Sequence, residues 1–137
     1  MVDYMATFKA SFARVTGEEL RSQFFDLFYE RFIASEKEVA ALFAETDMSR
    51  QKDMLRESLV ELMEFCVTME SNPYIVTLAR VHGVRGRNIP LHMFDLWLDS
   101  LVATVRRVDP GQNENVEAAW RVVLAPGIAF MKFYRDR

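Results

Sequence analysis

The 137-residue chain has only two imidazoles, His82 and His92, and one thiol, Cys66. Zinc would need three or four closely arranged Cys, His or carboxylate ligands, and that inventory is missing. No Ser/His/Asp arrangement for nucleophilic catalysis is legible. The stretch Gly83-Val84-Arg85-Gly86 has neither the preceding strand nor the spacing of a phosphate-cradling loop. What remains is the chemistry of a single histidine. His82 closes the apolar segment Ile75 to His82, with Leu78 one turn earlier on the same face. An imidazole so placed is either a half-buried or helix-capping histidine or a ligand for haem iron. Cys66 lies in an apolar stripe and reads as an inert core thiol, which behaves as a small hydrophobe.

The elements that must carry these residues are helices. Gly17, Pro73, Gly83, Gly86, Pro90, Pro110 and Gly111 punctuate the chain, and no alternating β-branched run reads as a strand. A first helix is expected from Asp3 to Arg14. Thr16 with Glu19 three residues later forms a capping-box pattern for a second, Gly17 to Ala34. Ser35 is placed to cap a short third helix ending near Phe43. A long helix should begin at Asp47 or Ser49 and reach Glu70, burying Leu55, Leu59, Leu62 and Cys66. Asn72 and Pro73 open the next helix, which ends at His82-Gly83, and proline at a first helical position loses no needed donor. Pro90 opens a helix striped by Phe94, Trp97, Leu98, Leu101 and Val105. The last runs from about Asn113 to Tyr134, with Pro126 inside it.

Composition bounds the rest. A formal net charge of -3 leaves no basic surplus for phosphate backbones, so nucleic acid is not an expected partner. No apolar run is long enough to span a membrane, and Met1 to Arg14 lacks a signal peptide's apolar stretch. A lone cysteine supplies no internal disulfide. The expected location is the cytoplasm. Eleven Phe and eight Met suit either a plain helical core or one wrapped around a flat apolar object.

The order of these residues resembles bacterial single-domain globins and the globin domains of flavohaemoglobins. Phe28-Tyr29, then Glu38-Val39 and Leu42-Phe43, are similar to that family's distal segment. Asp47 to Leu55 resembles the start of its distal helix, and Leu78-Ala79 followed by His82 its proximal helix. Ile89-Pro90 with Phe94 to Leu98, and Ala118 to Trp120, resemble the openings of its last two helices. The resemblance runs from about Thr7 to Tyr134. It implies one all-α globin domain over residues 1–137, about seven helices around a pocket for haem b (iron protoporphyrin IX).

The resemblance also implies roles. His82 would ligate iron. Tyr29 and Gln51 would donate to a bound diatomic gas, Phe43 would be the corner phenylalanine, and Leu55 would cover the iron. Leu78, Ile89, Phe94 and Leu98 would complete the haem contacts, with Arg85 and Arg87 as first candidates for the propionates and Lys52 and His92 behind them. Oxygen gains negative character when bound in such a pocket, so a hydroxyl or amide beside it stabilises the bound state, by about 1.5–3 kcal/mol. The implied activity is reversible binding of oxygen, with nitric oxide and carbon monoxide as further ligands. Dioxygenation of nitric oxide or peroxidase turnover would need an external reductase, and gas sensing a partner protein. Catalytic relatives place a tyrosine where Phe94 stands, and no glutamate of the last helix is evident opposite His82. That departure argues against a strongly activated iron.

Overall fold

The computed structural model describes all of residues 1–137. Seven α-helices follow one another: α1 Tyr4–Val15, α2 Arg21–Ser35, α3 Lys37–Leu42, α4 Met48–Thr68, α5 Pro73–His82, α6 Leu91–Val108 and α7 Glu114–Tyr134. There is no strand, and the expected all-α class holds. Four starts have a side-chain cap. Asp3 accepts from Ala6 N, Asp47 from Ser49 N and Arg50 N, Asn72 from Ile75 N, and Asn113 from Val116 N. Each satisfies an amide that the helix itself leaves unpaired. No helix is long and apolar enough to cross a membrane.

Two expected caps do not form. Thr16 ends α1 instead of starting α2, because its hydroxyl donates back to the Phe12 carbonyl at 2.6 Å. Residues 17–20 make a turn, and α2 starts at Arg21 without a side-chain cap. Ser35 likewise donates back to Phe32, at 2.6 Å, and belongs to α2. Short hydroxyl side chains have both options locally, and packing selects between them. In α4 the buried face includes Phe65, while Cys66 is only partly buried.

α7 is the central element and packs on α1, α4, α5 and α6, while α2 lies on α6. The approach of α4 to α7 depends on Gly127. A Cβ there would stand 2.3 Å from Leu62 Cδ2, far inside van der Waals contact. At the other end, Trp120 of α7 is fully buried against Phe8, ring centroids 4.7 Å apart and edge-to-face. Its indole donates to Ser11 Oγ at 2.8 Å, and Ser11 donates to Asp109 Oδ2 at 2.6 Å. Arg14 Nε and Nη2 reach the same carboxylate at 2.6 and 2.9 Å, and Gly111 N at 2.8 Å. The network ties α1 to the α6–α7 turn and to the central tryptophan.

Asp109 is 3% exposed. Burial alone would raise its carboxyl. Hydrogen bonds from Arg14, Ser11 and Gly111, with the charge of Arg14, outweigh that and hold it below the ordinary carboxylate range. A carboxyl lowered by folding contributes stability above its unfolded pKa, about 3.9, and loses it as pH falls through the lowered value. Asp109→Ala should therefore cost about 2–3 kcal/mol at pH 7 in urea unfolding. That is below the ~3–5 kcal/mol of a fully buried broken pair, because Arg14 keeps contact with water. The gap between wild type and variant should narrow below about pH 4. A gap that persists unchanged into acid would assign the loss to packing alone.

Candidate functional site

The site grows from the end of α5. Ile75 and Ala79 bury one face of this helix, and Leu78 and His82, four residues apart, turn to the neighbouring cavity. His82 Nδ1 lies 2.7 Å from the Leu78 carbonyl. A carbonyl only accepts, so Nδ1 carries the proton and Nε2 keeps its lone pair. Nothing in the protein binds that lone pair. Burial, then the nearby charge of Arg87, lower the ring's pKa against the opposing Leu78 hydrogen bond. The neutral, metal-ligating form is thus the resting form at pH 7.

The corner after His82 is held by main-chain bonds. Arg87 N donates to Val81 O at 2.8 Å and Ile89 N to His82 O at 3.0 Å. Gly86 permits this fold-back, since a Cβ there would meet the Val81 carbonyl oxygen at 2.2 Å. Asn88 takes φ 54°, a left-handed conformation that asparagine tolerates. Arg135, just past α7, clamps the corner by donating to the Ile89 carbonyl at 2.7 Å and to Asn88 Oδ1 at 2.9 Å.

α2 and the first turn of α4 contribute to the same cavity as His82. Tyr29 is 4% exposed. Its ring meets Phe43 edge-to-face at 5.6 Å. Gln51 Nε2 donates to the phenol oxygen at 3.1 Å, and the phenol donates a long 3.4 Å bond to the Gln51 main-chain carbonyl. Burial raises the phenol pKa and the Gln51 donor lowers it, leaving it pushed up to about 12. Tyr29 is therefore a neutral donor across the physiological range.

Between these elements lies a cavity of about 230 Å³. Fifteen of its 20 lining residues are hydrophobic. Tyr29, Phe43, Gln51 and Leu55 line it, and so do Leu78, His82, Ile89 and Phe94. Arg87 stands at the mouth, its Nη1 donating to the Leu42 carbonyl at 3.5 Å. The remaining expected residues lie elsewhere. Arg85 is exposed in the corner outside the lining, and Leu98 packs half-buried on the core. Lys52 pairs with Asp26 at 2.7 Å and His92 with Glu36 at 2.8 Å. No three His, Cys, Asp or Glu side chains gather as a metal cluster.

The lining also holds residues that the motifs pass over. Trp97 stands one turn beyond Phe94 on α6, and Ile128 and Met131 come from α7. Trp97 was legible as part of an apolar stripe. Ile128 and Met131 lie on the helix that packs against α4 and α5 and reach the cavity from there.

The residues suit haem by their chemistry. One neutral imidazole offers a fixed lone pair to an apolar slot, hydrogen-bond donors stand opposite, and a guanidinium waits at the mouth for carboxylates. His82 finds no carboxylate acceptor. Its proton goes to a main-chain carbonyl, and the ring nearest it, Phe94 at 6.4 Å between centroids, has no hydroxyl.

No family model and no curated protein matches the chain. A solved structure does. It is a protein of Pseudomonas aeruginosa PAO1 described as structurally highly homologous to a human haemoglobin. It superposes with a TM-score of 0.91 at 31% identity, over 98% of this chain and 100% of that one. With that identity along the full length of both chains and so close a superposition, this chain belongs to the globin family.

Proposed function

We propose that the chain holds haem b through His82 and binds diatomic gases reversibly, oxygen foremost. The observation that carries this reading is His82, its tautomer fixed by the Leu78 carbonyl so that Nε2 keeps its lone pair, in the apolar cavity that the Tyr29–Gln51 pair also lines. Bound there, iron protoporphyrin IX supplies a ferrous centre with one open position for a gas. The chain's own residues do the rest. His82 gives a neutral nitrogen whose orientation is set before the cofactor arrives. Phe43 and Leu55 keep water from the gas side. Arg87 offers a cation to the propionates. Tyr29 presents an O–H that a negatively charged ligand can draw from its long bond to Gln51 O. Gln51 steadies the phenol oxygen from the other side.

Reversible binding is favoured over dioxygenase or peroxidase turnover. Strong activation needs an imidazole made more basic by a carboxylate partner, and His82 has only a carbonyl. The same observation leads us to expect an iron–histidine stretch in the neutral-imidazole range. Resonance Raman of the ferrous form reads it, and a peroxidase-like frequency would mean that an anionic acceptor moves onto His82.

His82→Ala should abolish haem retention. The absorption spectra of purified ferric, ferrous and carbonmonoxy forms measure it, and a variant with wild-type haem content and an unchanged Soret band would reject the ligand assignment.

Tyr29→Phe removes one donor and preserves most of the packing. Oxygen dissociation should quicken at least about tenfold, since the lost bond is worth about 1.5–3 kcal/mol, while carbon monoxide dissociation changes far less. Stopped-flow displacement reads both. Equal, small changes for the two gases would leave Tyr29 as packing. Because the phenol is pushed up to about 12, wild-type oxygen dissociation should also be flat from pH 6 to 10. A step near pH 8 in that profile would show that Tyr29 ionises far more readily than its burial allows.

A further inference from the structure

Two side-chain hydrogen bonds join α4 to the start of α5. Ser58 of α4 and Tyr74 of α5 place their hydroxyl oxygens 3.2 Å apart. Ser58 has one hydrogen and gives it to the Met54 carbonyl at 2.9 Å, so the phenol is the donor between the two hydroxyls. One turn along α4, Glu61 Oε2 accepts from Asn72 Nδ2 at 3.3 Å. Asn72 Oδ1 in turn caps α5 by accepting from Ile75 N at 2.9 Å, and Pro73 presets the entry into that helix. Ser58 and Glu61 share one face of α4. The two bonds therefore hold the start of α5 at neighbouring points and fix its angle to α4 as well as its distance.

The other ends of these helices carry Gln51 and His82, and no polar bond joins them. Gln51 pairs with Tyr29 on α2, and His82 with Leu78 on its own helix. The cavity lies there, and Ser58 and Met54 line it, while Tyr74 lies outside the lining. His82 stands two turns beyond Tyr74, about 12 Å along the helix. A rotation of about 10° at Tyr74 would carry the imidazole by about 2 Å. A metal ligand tolerates only about 0.2 Å.

We propose that Tyr74 is a positioning residue for haem uptake: its phenol, through Ser58, holds α5 at the angle to α4 that places His82 before haem arrives. The inference rests on the haem-binding reading above. Without the bond, the free protein spreads over several orientations of α5, of which only some present His82 to iron. Apparent haem affinity falls in proportion to the competent fraction.

Tyr74→Phe keeps the ring and removes the donor. When full-length wild type and variant compete to equilibrium for limiting haem, native mass spectrometry should find about five times more of it on the wild type, the worth of one net hydrogen bond. A bond that only stabilised the fold would favour free and haem-loaded protein alike, and the two chains would then share haem equally. Ser58→Ala should lose as much as Tyr74→Phe, and the double variant no more than either alone. Hydrogen exchange of the haem-free chains gives a second readout. The α5 amides of Tyr74→Phe should exchange about fivefold faster than those of the wild type, with α1 amides unchanged. Equal haem shares, additive losses or unaltered α5 exchange would overturn the proposal. If the wild type takes up haem and shares it equally with the variant, this inference alone fails. If the wild type takes up no haem, the functional reading fails first and carries this one with it.

Discussion

A carboxylate held away from water is costly unless every oxygen finds a partner, and Asp109 meets that condition with Arg14, Ser11 and the Gly111 amide. Around it the chain makes its longest-range polar commitments. Ser11 is 98 residues away and passes the connection to Trp120. The consequence is a half of the molecule whose buried polar groups are paired among themselves. That matters because the other half contains a cavity. Open apolar space forgoes dispersion contacts, and a small helical domain tolerates the loss only where the surrounding helices are anchored independently.

The cavity wall is built from the same α7 that the network anchors. Trp120 fixes one part of the helix in the core, and Gly127 further along lets α4 come close enough to form a wall. Past its end, Arg135 reaches the corner that follows His82. Position is thus transmitted from the Asp109 cluster through one helix to the imidazole. The imidazole itself needs only local chemistry. The Leu78 carbonyl, four residues earlier, selects the tautomer, and burial keeps the ring neutral.

The two sides of the cavity differ in how they handle polarity. On the His82 side one proton is committed to a carbonyl and one lone pair is free. On the Tyr29 side the polar atoms of Tyr29 and Gln51 form a closed pair, each donating to the other. No carboxylate stands behind His82 to add charge to the ring.

Sequence by itself determined what is local or periodic. Asp47, Asn72, Asn113 and Pro73 announce helix starts because their side chains act within three residues. The apolar faces of α4 to α7 are readable from spacing, and His82 from its place at the end of one of them. The ordered set of Tyr29, Phe43, Gln51 and Leu55 was legible by resemblance, and all four face one cavity. Tertiary structure decided the rest. Thr16 and Ser35 have two local hydrogen-bonding options of similar energy, and packing chose the backward one in each. Arg85 and Arg87 are indistinguishable in a basic corner until the fold-back at Gly86 brings one to the mouth and leaves the other in water. Asp109 reads as an ordinary turn residue, because its partners on α1 lie some 95 residues away. Ile128 and Met131 read as ordinary apolar positions of the last helix, because only the packing of α7 on its neighbours brings them to the cavity wall.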